Sequence, residues 1–209
     1  MKLFVYHIIT GILFINSCSQ IDKKSTCKIK TEYYPSKNDS KKRVEYIYEA
    51  DIITNEKCGS FVWLFENGDT LETAYFNNGK LNGTVKNYFE NGRLQLECEY
   101  SDDLANGVSL EYYENSKLRC KLIYQMDKLW SIEAVNDSSG NSLDFGKLVN
   151  GNGFVKTFYP NGKVETEGNY SEGVKDGYWR FYTDNGIIGD SVFYENGFGP
   201  YSLTIENGY

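Results

Sequence analysis

The sequence predicts an all-β protein: an elongated, single-layer antiparallel β-meander built from about seven hairpin repeats of 24 residues. Three observations support this prediction. The 209 residues include 18 Tyr, 12 Phe and 20 Gly but only 3 Pro, a composition that favours strands joined by tight turns. Glycines recur at a fixed spacing along most of the chain. Asn-Gly pairs, the strongest local signal for a β-hairpin, follow most of these glycines.

The composition also excludes several classes of protein. Hydrophobic residues make up 40% and aromatic residues 16% of the chain, which is too apolar for a disordered protein. The formal net charge is −7, and an acidic surface repels the phosphate backbone, so no nucleic-acid partner is expected.

The N-terminus resembles a bacterial export signal. Lys2 precedes an apolar run of 13 residues, Leu3 to Ile15, which is long enough for a signal peptide but too short to span a membrane. Cys18 follows in a lipobox-like context, so we predict a signal peptide (1–17), lipid attachment at Cys18 and a polar tether (18–27). The alternative is a plain secretory signal with an incidental cysteine. Lipid attachment would make the protein an outer-membrane lipoprotein of the bacterial cell envelope, facing the periplasm or the surface.

The repeat is defined by glycines spaced by 24 residues, which we call the leading glycines. An Asn-Gly or Asn-Ser pair follows eight residues after each one, and an aromatic residue follows seventeen residues after each one. We assign residues 59–209 to these repeats, with a degenerate unit at 131–152, and residues 28–58 to a degenerate first repeat. The leading glycines are Gly59, Gly83, Gly107, Gly153 and Gly177.

Each unit is predicted to be a hairpin whose Asn-Gly pair forms a type I′ turn, because both residues tolerate a positive φ. With Asn91-Gly92 as a two-residue loop, the opposing charges of Lys86 and Glu97 face each other, which supports the pairing. A three-residue loop with a bulge would shift the pairing near the turn. The predicted facing pairs on the apolar face are Phe89 with Leu94, Asn87 with Leu96, and Val85 with Cys98.

Four cysteines remain after removal of the signal peptide, and four cysteines allow three disulfide connectivities. In a regular ladder Cys98 and Cys120 are separated by one strand, or roughly 9–10 Å, which exceeds the usual Cα separation of a disulfide. Cys27 and Cys58 occupy equivalent positions one unit apart, so the same distance argues against a disulfide between them. We therefore expect Cys98 and Cys120 to be buried free thiols.

The pattern of Gly-x-Trp or Gly-x-Val, a pair of aromatic residues, Glu-Asn-Gly-x-Leu or a close variant of it, and a closing Tyr resembles the MORN-repeat variant family, which includes the YwqK-type antitoxin-like proteins. In this chain it is seen at Gly83–Leu94 and Gly177–Gly186. The resemblance covers Gly59 to about Pro200. It implies an elongated single-layer sheet that serves as a scaffold for proteins or membranes.

The sequence offers little for catalysis. The single histidine, His7, lies in the signal peptide, so the mature chain has none for general base chemistry or a metal site. The cysteines lack metal-ligand spacing, and the glycines do not form a phosphate loop. We therefore predict a protein that is not an enzyme and has no cofactor and no metal.

The predicted function is that of a protein-interaction or envelope scaffold that contacts the membrane through its lipid anchor only. A row of aromatic residues on the polar face, namely Tyr88, Tyr112, Phe158 and Tyr182, is the candidate binding face. Packing and strand propensity are the alternative explanation for this row. An antitoxin or immunity-like partner of a toxin, or a glycan-binding module, are the alternative functions.

Overall fold

The computed structural model describes residues 27–33 and 44–199, all of it strands, turns and short connections. The predicted signal peptide, Cys18 and the partial strand from Tyr201 lie outside the described residues. The strands, in chain order, are β1 (Cys27–Tyr33), β2 (Val44–Asp51), β3 (Lys57–Leu64), β4 (Thr70–Asn77), β5 (Lys80–Leu81), β6 (Gly83–Tyr88), β7 (Leu94–Ser101), β8 (Leu104–Tyr112), β9 (Leu118–Gln125), β10 (Lys128–Val135), β11 (Gly146–Val149), β12 (Asn152–Phe158), β13 (Val164–Ser171), β14 (Val174–Tyr182) and β15 (Ile188–Tyr194).

The predicted all-β antiparallel meander is confirmed, and it is divided into two open sheets. Strands β1 to β10 form the first sheet in chain order, with the short β5 paired only to β4, and β11 to β15 form the second. Every pairing is antiparallel, and all but that of β4 with β6 join strands that follow one another, as expected for consecutive hairpins. Among the described residues, no helix is long and apolar enough to cross a membrane.

The division between the sheets falls in the unit predicted to be degenerate. After β10 the chain forms one isolated bridge, Asn136 to Ser142, and then runs irregularly to β11. This connection, residues 136–145, is held to the second sheet because Ser138 N donates to Pro160 O at 3.1 Å and Lys156 N donates to Phe145 O at 3.0 Å. The irregular unit therefore breaks the ladder and positions one sheet against the other.

The prediction of type I′ geometry at the Asn-Gly turns is wrong. Only the glycine of each pair has a positive φ, for example +77° at Gly92. Gly92 N donates to Phe89 O at 2.8 Å and Phe89 N donates to Arg93 O at 2.9 Å, which is a three-residue loop with a bulge. Away from the turn the predicted pairs Val85–Cys98 and Asn87–Leu96 are confirmed, but Tyr88 replaces Phe89 opposite Leu94.

Type I′ geometry occurs instead at the turns that close each unit. Both central residues have positive φ, as at Asn78 (+52°) and Gly79 (+78°) or Asp102 (+51°) and Asp103 (+74°). In most units the backbone N–H of the second turn residue donates to the carbonyl oxygen of the residue 22 positions earlier. In one example Gly79 N donates to Lys57 O at 2.9 Å. These bonds join neighbouring hairpins, so successive units stack in a fixed relation to each other.

The leading glycines mark irregular points in the ladder. In the β7–β8 pair the register shifts between Cys98 and Tyr100, and Gly107 opposite this point has φ +133°. Val108 N donates to Glu99 Oε2 at 3.0 Å, and a Cβ at Gly107 would lie 1.9 Å from that oxygen. The position favours glycine because other residues rarely adopt a φ of +133°, and the Glu99 carboxylate would also have to move to admit a side chain.

The prediction that Cys27 and Cys58 are too far apart is also wrong. They form a disulfide with a Cα–Cα distance of 6.2 Å, within the usual range. The regular ladder assumed in the prediction does not hold here, because the β2–β3 register shifts between Tyr48 and Ala50 and Gly59 has φ +83°. Cys98 and Cys120 are free and buried, as predicted.

Candidate functional site

One face of the sheets, which we call the inner face, has a central row of buried side chains. Val85 and Cys98 were placed on this face by the predicted turn register, and the largest member of the row, Trp179, has no exposed surface. The opposite face is called the outer face. The buried row comprises Phe61, Ala74, Val85, Cys98, Ser109, Cys120, Val155 and Trp179.

Large and small residues alternate along this row where the second sheet ends. A Cβ at Gly168 would lie 2.4 Å from the indole of Trp179, so the indole covers the backbone of β13. Trp179 Nε1 donates to Asn169 O at 3.0 Å, and the ring meets Tyr170 edge-on at 5.3 Å. The buried indole is therefore both packed and hydrogen-bonded.

Two lysines at the same repeat position cover aromatic rings at opposite ends of the chain. Lys175 Nζ lies 4.2 Å from the ring centroid of Trp179 and 5.1 Å from that of Tyr194. Lys57 Nζ lies 4.3 Å from the ring centroid of Phe61. Burial lowers the pKa of Lys175. These are cation–π contacts, one in β3 of the first sheet and one in β14 of the second.

The two free cysteines lie in the middle of the buried row. Burial raises the pKa of the Cys98 thiol and raises the pKa of the Cys120 thiol to about 12. A thiol that stays protonated at neutral pH is a poor nucleophile. These cysteines therefore act as small apolar side chains in the packing.

The structure separates the four residues of the predicted binding face. Tyr88, Tyr112 and Tyr182 are half-buried on the outer face, but Phe158 is only 7% exposed. The irregular connection 136–145 explains the difference, because it is hydrogen-bonded to both sides of Phe158, at Lys156 and Pro160. Phe158 therefore presents no ring surface for stacking.

Charged side chains accompany the tyrosines that remain on the outer face. Lys86 and Glu97 form the predicted pair, at 3.0 Å. Tyr182 OH donates to Glu167 Oε1 at 2.7 Å, and this hydrogen bond raises the pKa of Tyr182. Arg180 contacts the same carboxylate at 3.1 Å. The hydroxyl of Tyr182 is thus engaged within the protein.

A more exposed aromatic pair, which the sequence analysis missed, lies on the outer face of the last two strands. Tyr178 and Phe193 face each other across β14 and β15, their ring centroids are 5.0 Å apart, and they are 71% and 52% exposed. The sequence does contain a pattern that distinguishes this pair. At one and sixteen residues after the leading glycine, both positions are aromatic in this unit, whereas the unit of Gly83 has Thr84 and Glu99.

The second sheet has other exposed apolar side chains besides this pair. Phe154 lies on the outer face of β12, and Ile187 and Ile188 lie at the start of β15. Among the described residues, no group of three or more His, Cys, Asp or Glu side chains is placed to hold a metal ion. The C-terminal hairpins thus present aromatic and aliphatic surface next to the Arg180–Glu167 ion pair.

These features define an open antiparallel hairpin-repeat protein with an aromatic-rich inner face and apolar outer surface at its end. Three segments of the chain, residues 81–102, 105–126 and 152–172, match the model of the MORN repeat variant. The match confirms the resemblance at three of the predicted hairpins, those of β6–β7, β8–β9 and β12–β13. No curated protein matches the chain.

Proposed function

We propose that this chain is a non-catalytic repeat protein that binds a protein partner through the outer face of its C-terminal hairpins. The observation that carries the proposal is the exposed pair Tyr178 and Phe193, at 71% and 52% exposure. Aromatic side chains with this exposure are the residues that most often anchor protein interfaces. MORN-type repeats, which this chain resembles at three hairpins, are commonly modules that bind proteins or membranes.

The chemistry of the patch favours a protein over a nucleic acid or an ionic ligand. Tyr178 and Phe193 are already packed edge-to-face, so little side-chain entropy is lost when a partner covers them. The Arg180–Glu167 pair, next to the aromatic pair along β14, provides a polar rim. An apolar centre with a polar rim is the usual arrangement of a protein interface.

We further propose that the protein acts in the bacterial cell envelope as an outer-membrane lipoprotein, attached through Cys18. The Cys27–Cys58 disulfide supports export, because disulfides persist in oxidising compartments and are rare in the cytosol. The disulfide lies nine residues after Cys18 and ties the first strand to β3. Tension on a lipid tether at Cys18 would therefore be carried by a covalent bond rather than by one edge strand.

Site-specific photo-crosslinking in living cells tests the interface. A photoreactive phenylalanine analogue at position 178 should give a discrete adduct. The matched control is the same analogue at position 75, because Tyr75 is 50% exposed on the outer face of the first sheet. A Phe193→Ser substitution should abolish the adduct formed from position 178.

Equal adducts from both positions, or none from position 178, would contradict the proposed interface. The identity of the adduct separates the remaining alternatives. A toxin encoded beside this chain would indicate an antitoxin or immunity function, and an envelope protein would indicate a scaffold. A Tyr88→Ala/Tyr112→Ala variant tests the predicted row on the first sheet and should leave the adduct unchanged.

Anchoring is tested separately. Wild-type protein should be found in the membrane fraction and carry the mass of a lipid on its N-terminal cysteine. The Cys18→Ala variant should lose both properties while keeping the Cys27–Cys58 disulfide. Unchanged fractionation and mass in this variant would show that the protein is not a lipoprotein.

A further inference from the structure

A cleft lies where the irregular connection 136–145 places the second sheet against the first. Residues of β6 to β9 form one side of its mouth, and Pro160 from the turn after β12 forms the other. Pro160 is fixed there by the hydrogen bond from Ser138 N, and Asn115 Nδ2 donates to Ser138 O at 2.8 Å. The connection thus bonds to both sheets and holds the cleft open. Irregular segments of repeat proteins are often on the binding face.

The mouth of the cleft combines planar polar side chains with aromatic rings. Its volume is about 570 Å³, within the range of small-molecule sites. The polar side chains are Asn87, Glu111 and Arg119, and Phe89 and Tyr113 supply rings. Planar amide, carboxylate and guanidinium groups offer paired hydrogen-bonding atoms.

The cleft continues inward as an apolar space. This inner part, of about 230 Å³, shares Glu111, Tyr113 and Arg119 with the mouth and extends between β9 and β12. Tyr124 and Tyr170 from the two sheets lie on its walls. The hydroxyl of Tyr113 is held in place, because it donates to Asn136 O at 3.0 Å. Apolar side chains predominate in the lining of the inner part, which also includes Asn136, Lys156 and Thr157.

The one cationic side chain among the described residues at the mouth of the cleft, Arg119, is paired with a carboxylate. Glu111 Oε2 and Arg119 Nη1 are 3.5 Å apart, and both side chains are partly exposed. Asn87 Nδ2 donates to Glu72 Oε2 at 3.0 Å, which leaves its carbonyl oxygen to accept. A ligand at the mouth therefore meets an ion pair, an amide and aromatic rings. The exposed carboxylate of Glu114 at the mouth disfavours an anionic ligand.

We propose that this cleft binds an uncharged oligosaccharide. Paired hydroxyls of a sugar match the two-atom hydrogen-bonding edges of Asn87, Glu111 and Arg119. The flat C–H face of a sugar ring fits against Phe89 or Tyr113. Tyr112 and Phe158 of the predicted outer row also line this cleft. Tyr178 and Phe193 do not, so the site stands independently of the proposed protein interface.

Titration of the full chain in detergent with chitotriose, cellotriose and maltotriose, followed by calorimetry and NMR, tests the proposal. At least one trisaccharide should bind and should shift the Arg119 Nε–H and Tyr113 ring signals. Asn87→Ala and Phe89→Ala should each weaken binding about tenfold, the loss expected for one good hydrogen bond or ring contact. Gln125→Ala, an exposed amide outside the cleft, is the matched control and should bind as wild type.

The wild-type NMR measurement keeps the test decisive if a variant fails to fold. Absence of binding by all three sugars, or binding that shifts Tyr178 and Phe193 instead of Arg119, would overturn the proposal. Unchanged affinity in both Asn87→Ala and Phe89→Ala would do the same. A Phe193→Ser variant should keep sugar binding, so failure of the protein interface and failure of the sugar site are distinguishable.

Discussion

The middle hairpins and the C-terminal hairpin share one backbone pattern but fill it differently. Two residues after the leading glycine, the middle units have Val85 and Ser109, whereas the last unit has Trp179. Two residues before that glycine, the middle units have Leu81 and Ala105, and the last unit has Lys175. Val85, Ser109 and Trp179 are all buried. The same degree of burial is thus reached with small side chains in the middle and with a large one at the end.

The difference in the size of the buried side chains follows from the number of neighbouring strands. A middle hairpin has strands on both sides, so residues such as Ser109 and Cys98 are covered by the side chains of adjacent units. The C-terminal hairpin has a described neighbour on one side only. There Trp179 spans the backbone of Gly168, and the ammonium group of Lys175 lies over the indole. An end unit therefore needs more buried surface per residue than an internal unit, as expected for repeat proteins.

The largest expected effect is at Trp179. Trp179→Ala should destabilise the second sheet by about 3–5 kcal/mol, because a fully buried indole is removed above Gly168. Ser109→Ala at the equivalent position should cost about 1 kcal/mol or less, because only a hydroxyl is lost. Urea unfolding followed by fluorescence and circular dichroism measures both. Equal losses would show that end and middle units do not differ in this way.

The N-terminal end is closed by a covalent bond, and its loss should rank second. The Cys27–Cys58 disulfide spans a sequence separation of 31, for which the chain-entropy model gives about 3–4 kcal/mol. The Cys27→Ser/Cys58→Ser variant should therefore lose hydrogen-exchange protection in β1 and β2 but not in β13. Cys98→Ala is the control and should leave β1 protected. Unchanged protection of β1 in the double variant would refute this role.

The comparison also explains which features could be predicted from the sequence. The hairpin repeat and the pair Val85–Cys98 were predictable because side-chain alternation is strictly local. The disulfide was not, because its distance depends on a bulge at Gly59 that a regular ladder omits. Phe158 was misplaced for a similar reason, since a non-repeating connection bonds on both sides of it.

The turn types show a second limit of prediction. Asn-Gly fits both a type I′ turn and a type I turn with a bulge at the glycine. The choice is made by register across the hairpin, where Tyr88 rather than Phe89 faces Leu94. The Met126-Asp127 turn shows the converse, because both residues have positive φ without any glycine. There Asp127 Oδ1 accepts a hydrogen bond of 2.6 Å from the backbone N–H of Ala105, which lies 22 residues earlier in the chain.

Lys175 should give a smaller effect than the disulfide. Lys175→Ala should cost about 1–2 kcal/mol by exposing Trp179 and removing the cation–π contacts. Lys175→Met, which keeps the apolar stem, should cost less. Because burial lowers the pKa of Lys175, the unfolded chain binds this proton more tightly. Wild type should therefore gain stability relative to the methionine variant as the pH rises towards 10.5, and the opposite trend would contradict this.

The smallest effect at neutral pH is expected at Cys120, in the middle of the buried row. Its thiol pKa is raised from 9.0 to about 12 by burial, so the folded chain holds the proton that the unfolded chain releases. The stability that the buried, protonated thiol contributes is therefore fully present below pH 9.0 and is lost as the pH rises towards about 12. Urea unfolding across this range should show wild type losing more stability than Cys120→Ala. Parallel pH profiles would mean that Cys120 is exposed to solvent. The small side chains of the middle units would then be less well buried by their neighbours than Trp179 is in the last unit.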